Sequence, residues 1–144
     1  MPNFDPLTYR YSSRRNVVYA KNGVCCTSVP LGAQVGLDVL KNGGNAVDAA
    51  VAMAGAMPLL EPTGNGLGSD CFALVWIEKE KKLYGLNASG VAPLALSADE
   101  VRAKGFAAVP EEGWLPTIVP GAAAGCAAHN VRFGTKPHSL LFRP

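Results

Sequence analysis

Charge is scarce in this 144-residue chain and neither sign dominates: Asp, Glu, Lys and Arg fill 17% of positions, for a formal net charge of +2. Arg14, Arg15 and Lys21 lie near the start, yet no basic run interleaves with aromatics, so nucleic acid is not an expected partner. Long apolar runs are missing too. No uncharged, apolar stretch reaches the roughly 18 residues of a membrane span, so no membrane partner is expected either. The opening Met1-Pro2-Asn3-Phe4-Asp5-Pro6 has neither the basic nor the apolar region of a secretory signal, which makes a cytoplasmic, reducing location the expectation. Asn87-Ala88-Ser89 fits the glycosylation sequon, which carries no weight in that compartment.

Conventional catalytic signatures are equally thin. Histidine occurs twice, as His129 and His138, and no G-x-S-x-G elbow surrounds Gly68-Ser69-Asp70. Glu61 precedes Pro62, Asp48 falls at a helix start and Glu111-Glu112 read as a solvated loop, so no carboxylate pair is expected to meet. Cys25, Cys26, Cys71 and Cys126 form no C-x-x-C and no zinc spacing. They are expected to be free thiols behaving as small hydrophobes, and neither a metal nor a cofactor is expected. Gly64-Asn65-Gly66-Leu67-Gly68 matches no phosphate-loop pattern and precedes a strand instead of a helix. It is read as a loop whose glycines let backbone pass close to another segment, with small-molecule contact as the alternative.

What remains is a chain that is 49% hydrophobic, enough for one domain with a core. Residues 1–22 are polar and proline-punctuated and read as an irregular arm. Gly23–Ser28 reads as a strand. A helix starts near Ser28 or Val29 with Pro30 in its first turn, carries Leu31, Val35, Val39 and Leu40 on one face, and closes at Gly43 through a positive φ. Asn45 caps a second helix, Ala46 to about Met57, apolar all round and therefore buried, limited by Pro58. Its exception is Asp48, near the positive end of the helix dipole.

Cys71–Ile77 is a strand, Glu78–Lys82 a charged turn and Leu83–Asn87 its hairpin partner. Ser97-Ala98-Asp99-Glu100 has capping-box spacing and starts a short helix to about Lys104. Gly105–Pro120 is loop with a strand-like Thr117–Val119. A last helix runs from Pro120 or Gly121 to Phe133, with Gly134 as its C-terminal cap. This order predicts an α+β domain layered on a mostly antiparallel sheet.

Three ordered motifs resemble the γ-glutamyltransferase (glutathione hydrolase) family. The first comprises Pro30-Leu31, Gln34, Gly36-Leu37, Leu40, Gly43-Gly44-Asn45-Ala46 and Asp48-Ala49-Ala50. The second is Glu61-Pro62, Gly66 and Gly68 leading into the Phe72 strand, and the third is Val119-Pro120-Gly121 with Gly125, ending in Arg132-Phe133-Gly134-Thr135. The resemblance implies the N-terminal-nucleophile hydrolase fold, four layers in αββα order, of which 23–144 would be an incomplete N-terminal portion ending prematurely. It implies a precursor that cleaves itself and frees a threonine, whose hydroxyl attacks a γ-glutamyl amide with its own α-amine as base.

No residue of this chain matches that threonine, so none is assigned a catalytic role. The partners implied for a full-length parent are a γ-glutamyl or related amide substrate, the rest of the large subunit and the threonine-bearing small subunit. The family's large subunit also supplies an arginine that pairs with a substrate carboxylate, and Ser89 aligns with it, as a weak substrate contact or as a turn residue. Leu86-Asn87-Ala88-Ser89-Gly90 and Gly68-Ser69-Asp70 are similar to a divergent branch of cytoplasmic glutathione-hydrolase-like and cephalosporin-acylase-like proteins. Three readings stay open: an enzyme fragment inactive by itself, a piece complemented by a separate threonine-bearing chain, and a non-catalytic binding or scaffold module.

Overall fold

The computed structural model describes residues 17–143. Most of the expected N-terminal arm, residues 1–16, lies outside the described residues; residues 17–22 are irregular and exposed. Seven elements follow in order: α1 Pro30–Lys41, α2 Ala46–Leu60, β1 Cys71–Ile77, β2 Lys82–Ala88, α3 Ala98–Ala103, α4 Ala122–Phe133 and α5 His138–Leu141.

The α1–α2 corner forms as its local chemistry dictates. Pro30 sits in the first turn of α1, where its missing N–H is harmless. Gly43 takes φ +79°. Its N–H then reaches Leu40 O at 3.1 Å while the Gly44 N–H reaches Val39 O at 2.9 Å, the paired bonds of a Schellman closure. Asn45 restarts the chain at once. Its side chain accepts the Asp48 N–H at 2.9 Å, and the Asp48 carboxylate returns the favour to the Asn45 N–H at 3.0 Å.

Strands β1 and β2 pair antiparallel from Cys71↔Ala88 to Ile77↔Lys82. They form the only sheet among the described residues. Alternation along β1 leaves Cys71, Ala73, Val75 and Ile77 half-buried and turns Phe72, Leu74 and Trp76 outward. The core lies where Val47, Val51 and Ala52 of α2 meet Leu141 of α5, flanked by Val35, Val39, Val75, Cys126 and Phe133. Helix α4 packs against the two-stranded sheet, α2 and α5 pack on α4, and α1 packs on α2, an α+β arrangement as expected.

Several local expectations need correction. Gly23–Ser28 is not a strand: no described strand lies beside it, and the segment spends its side chains on the helices instead, Thr27 Oγ1 reaching Met57 Sδ at 3.5 Å. Helix α2 continues through Pro58 to Leu60, because a proline in the last turn forfeits a single backbone bond. It is not buried all round, since Ala46, Ala50, Ala54 and Leu59 are exposed. Thr117–Val119 makes a local turn bond, Thr117 N–H to Trp114 O at 3.2 Å, and one bond to another segment, Val119 N–H to Val91 O at 2.9 Å, and no strand. The tail forms one short helix, α5. Gly134 does end α4, but with φ −71° and ψ 158°, an extended conformation open to any residue. Glycine is required there for space: a Cβ would stand 2.6 Å from both Asn130 O and Asp48 Oδ1.

Candidate functional site

Three loops converge at the start of β1, the end of β2 and the start of α4. Ser69 O accepts the N–H groups of Gly121 at 3.1 Å and Ala122 at 2.7 Å, so a carbonyl from one loop satisfies donors at the N-terminus of α4. Asp70 then holds the turn after β2: its Oδ1 accepts the Gly90 N–H at 2.9 Å and lies 3.4 Å from Ser89 Oγ. The Ser89 N–H donates to Asn87 Oδ1 at 2.9 Å, which closes an Asx turn. Ser89 is thus an exposed turn residue beside an exposed carboxylate, and no lysine or arginine among the described residues pairs with Asp70. Asp70 was not singled out from sequence; the signal was its place one residue before a strand whose partner ends at Ala88, just before Ser89.

Beside this cluster lies a cleft of about 170 Å³ reaching from Asn65 and Ser69 to Cys126, His138 and Phe142. A second opening, about 330 Å³, runs along the free edge of β1 against Ala46, Ala50 and Ala54 of α2. The glycine loop borders the smaller cleft, and its expected close backbone passage is not found. A Cβ at Gly64, Gly66 or Gly68 would meet nothing within 4 Å. Glu61 anchors the loop instead, its Oε2 accepting from Asn65 Nδ2 at 3.0 Å and from Ser28 Oγ at 2.8 Å. Sequence reasoning took Glu61 as a residue confined by Pro62 and missed this role.

The histidines do not assemble a nucleophile–base pair among the described residues. His129 is buried in α4 with Nδ1 3.1 Å from Gly125 O, one turn back. His138 turns the edge of its ring toward Phe142, centroids 4.8 Å apart, and its Nδ1 is buried without a partner. No group of three or more metal-ligating side chains forms among the described residues, and none of their helices is long and apolar enough to cross a membrane.

The most polar buried point is Asp48, with no exposed surface. Beyond the Asn45 N–H, its oxygens accept from Asn130 Nδ2 at 3.2 Å, Thr135 N–H at 3.1 Å, Thr135 Oγ1 at 2.6 Å and Lys136 N–H at 3.3 Å. Burial alone pushes its carboxyl up. The Thr135 hydroxyl and the backbone donors of Asn45, Thr135 and Lys136 outweigh that and hold it below the usual carboxylate range. Asp48 is a clamp between the start of α2 and the α4–α5 connection, a larger task than the dipole contact expected of it.

Comparison with known proteins supplies the family. The gamma-glutamyltranspeptidase family model matches residues 32–144. Cephalosporin acylase from Bacillus halodurans is 54% identical over 98% of this chain and 26% of its own, with a TM-score of 0.86. Helicobacter pylori gamma-glutamyltranspeptidase is 32% identical over 88% of this chain and 37% of its own, with a TM-score of 0.79. Among curated proteins, the Bacillus subtilis (strain 168) glutathione hydrolase proenzyme is 33% identical over 93% of this chain. The chain spans only 20–24% of the length of the first curated relatives it matches. Its two-stranded α+β arrangement is an incomplete portion of the N-terminal-nucleophile hydrolase fold, and the chain belongs to the gamma-glutamyltranspeptidase family.

Proposed function

We propose that these residues form the opening segment of the large subunit of an amide-cleaving, acyl-transferring enzyme, whose attacking threonine comes from polypeptide outside these 144 residues. The observation that carries this reading is the alignment of nearly the whole chain with cephalosporin acylase, 98% of it at a TM-score of 0.86, over only 26% of that protein. The outward Phe72, Leu74 and Trp76 agree with it, since so apolar a sheet face suits burial beneath further polypeptide.

The donor specificity follows from the turn at Ser89. An arginine there would grip a substrate carboxylate through two parallel N–H bonds. Ser89 offers one hydroxyl, already within reach of the Asp70 carboxylate, and that anion repels another. The favoured substrate is therefore an amide whose acyl group carries no carboxylate at this point, in preference to glutathione. The reading extends to a cytoplasmic location, the one implied by the divergent branch that Ser89-Gly90 and Gly68-Ser69-Asp70 resemble.

The test has two parts. Expressed alone, the chain is assayed with a γ-glutamyl anilide and with an acylated cephalosporin nucleus; no turnover above background is expected, and turnover would refute the reading. Co-expressed with the remaining segments of the Bacillus halodurans relative, it is expected to restore cleavage. The DNA downstream of the gene separates the two sources of the threonine: a continuing frame favours one parent protein, a separate gene favours complementation.

A further inference from the structure

Cys71 opens β1 and Cys126 lies in the second turn of α4. They come together because position 125 has no side chain. A Cβ on Gly125 would stand 2.8 Å from Cys71 Cβ and 3.1 Å from Cys71 Sγ, so the first side chain of the strand lies on the helix backbone just before Cys126. Both cysteines line the groove along β1 and also the smaller cleft beneath the glycine loop. The thiols therefore form the partition between two openings, half-buried yet reachable from either side, and both are free.

We propose that Cys71 and Cys126 are a reversible dithiol–disulfide pair, oxidised by exchange with a low-molecular-weight disulfide. In the first step the Cys71 thiolate attacks one sulfur of that disulfide; its S–S bond breaks, one thiolate leaves, and Cys71 carries a mixed disulfide. In the second, Cys126 gives its proton to solvent and attacks the Cys71 sulfur. The second small thiolate departs and takes up a proton. Two protein thiols are oxidised and one small disulfide becomes two thiols, so the exchange balances. Burial, and after it the neighbouring Cys71 thiol, raise Cys126 above the ordinary thiol range, so it keeps its proton and makes ring closure the slower step. The bridge would fasten the start of β1 to α4 and fix the width of the partition. This inference does not depend on the catalytic reading above.

The experiment uses the full chain with Cys25→Ser and Cys26→Ser, incubated in a glutathione disulfide/glutathione buffer, quenched with acid and mapped by peptide mass. The expected product is a single internal Cys71–Cys126 link that reductant reverses. Its rate of closure should rise with pH and fall at least about tenfold in concentrated urea, where a long flexible loop must be closed instead. Gly125→Ala should slow closure severalfold in buffer and leave it unchanged in urea. Mixed disulfides on both cysteines without an internal link would overturn the proposal. Equal closure rates in buffer and urea would also overturn it, since the pairing would then owe nothing to the fold.

Discussion

Replacing Asp48 with alanine is the most informative single perturbation. The carboxylate is fully buried and accepts from five donors: Asn45 N–H, Asn130 Nδ2, Thr135 N–H, Thr135 Oγ1 and Lys136 N–H. Alanine leaves all of them without this acceptor, in a space too small to be filled well. Unmet buried donors cost about 1–3 kcal/mol each, and water reaches some of them; breaking a buried charged contact by removing one partner costs roughly 3–5 kcal/mol in total. At about 1.4 kcal/mol per decade, that corresponds to roughly two to nearly four decades in a local opening equilibrium.

Native-state amide hydrogen exchange reads this without requiring one global transition. The reporters are Val51 and Ala52 in α2 and Asn130 to Phe133 in α4, whose helical bonds the substitution does not touch. Their protection should fall by about two decades or vanish. A fall of less than tenfold would refute the clamp. The pH dependence has a definite sign. The folded-state carboxyl is depressed, so its stabilising contribution is complete above the unfolded-state value, about 3.9, and is lost as pH falls through the lower folded-state value. Wild-type protection at these amides should decline below about pH 4, and Asp48→Asn should remove that part of the decline.

Two further substitutions test the corner and the tail. Gly43→Ala places a Cβ at φ +79° and should cost about 1–2 kcal/mol, seen as earlier loss of helical circular dichroism on heating, with Gly43→Asn milder. Gly55→Ala puts a methyl group against the ring of Phe142 and should unseat α5, measured as faster exchange at Leu140 and Leu141 with α1 unchanged.

The readable parts of this fold are those whose causes are local. Gly43, Asn45 and Asp48 lie within six positions, and their cap bonds reach back no further than Val39, so sequence spacing alone announces the corner. The β1–β2 hairpin is legible for the same reason. Gly134 shows the limit. Its place after a helix points to a cap by positive φ, whereas the real constraint is one of space, set by Asn130 one turn back together with Asp48, far away in sequence. Gly23–Ser28 has the composition of a strand, yet a strand exists only beside another, and composition says nothing of neighbours. At the candidate site, Ser89 is marked in the sequence only by its alignment with the family arginine, and the structure describes it as an exposed turn residue. Asp70, which holds it from 19 positions back, is not marked, because its contact depends on the hairpin register.

The separation between Asp48 and its donors also sets a timetable for synthesis. Lys136 N–H lies 88 positions downstream, so at about 5–20 residues per second the carboxylate waits roughly 4–18 s after its own translation for its last donor. Until then the nascent α2 carries an anion that favours hydration over burial. A ribosome-bound chain stalled short of Thr135 should keep this end of α2 loose, a delay that gives chaperones a window and leaves Thr135 and Lys136 as the latch that closes it.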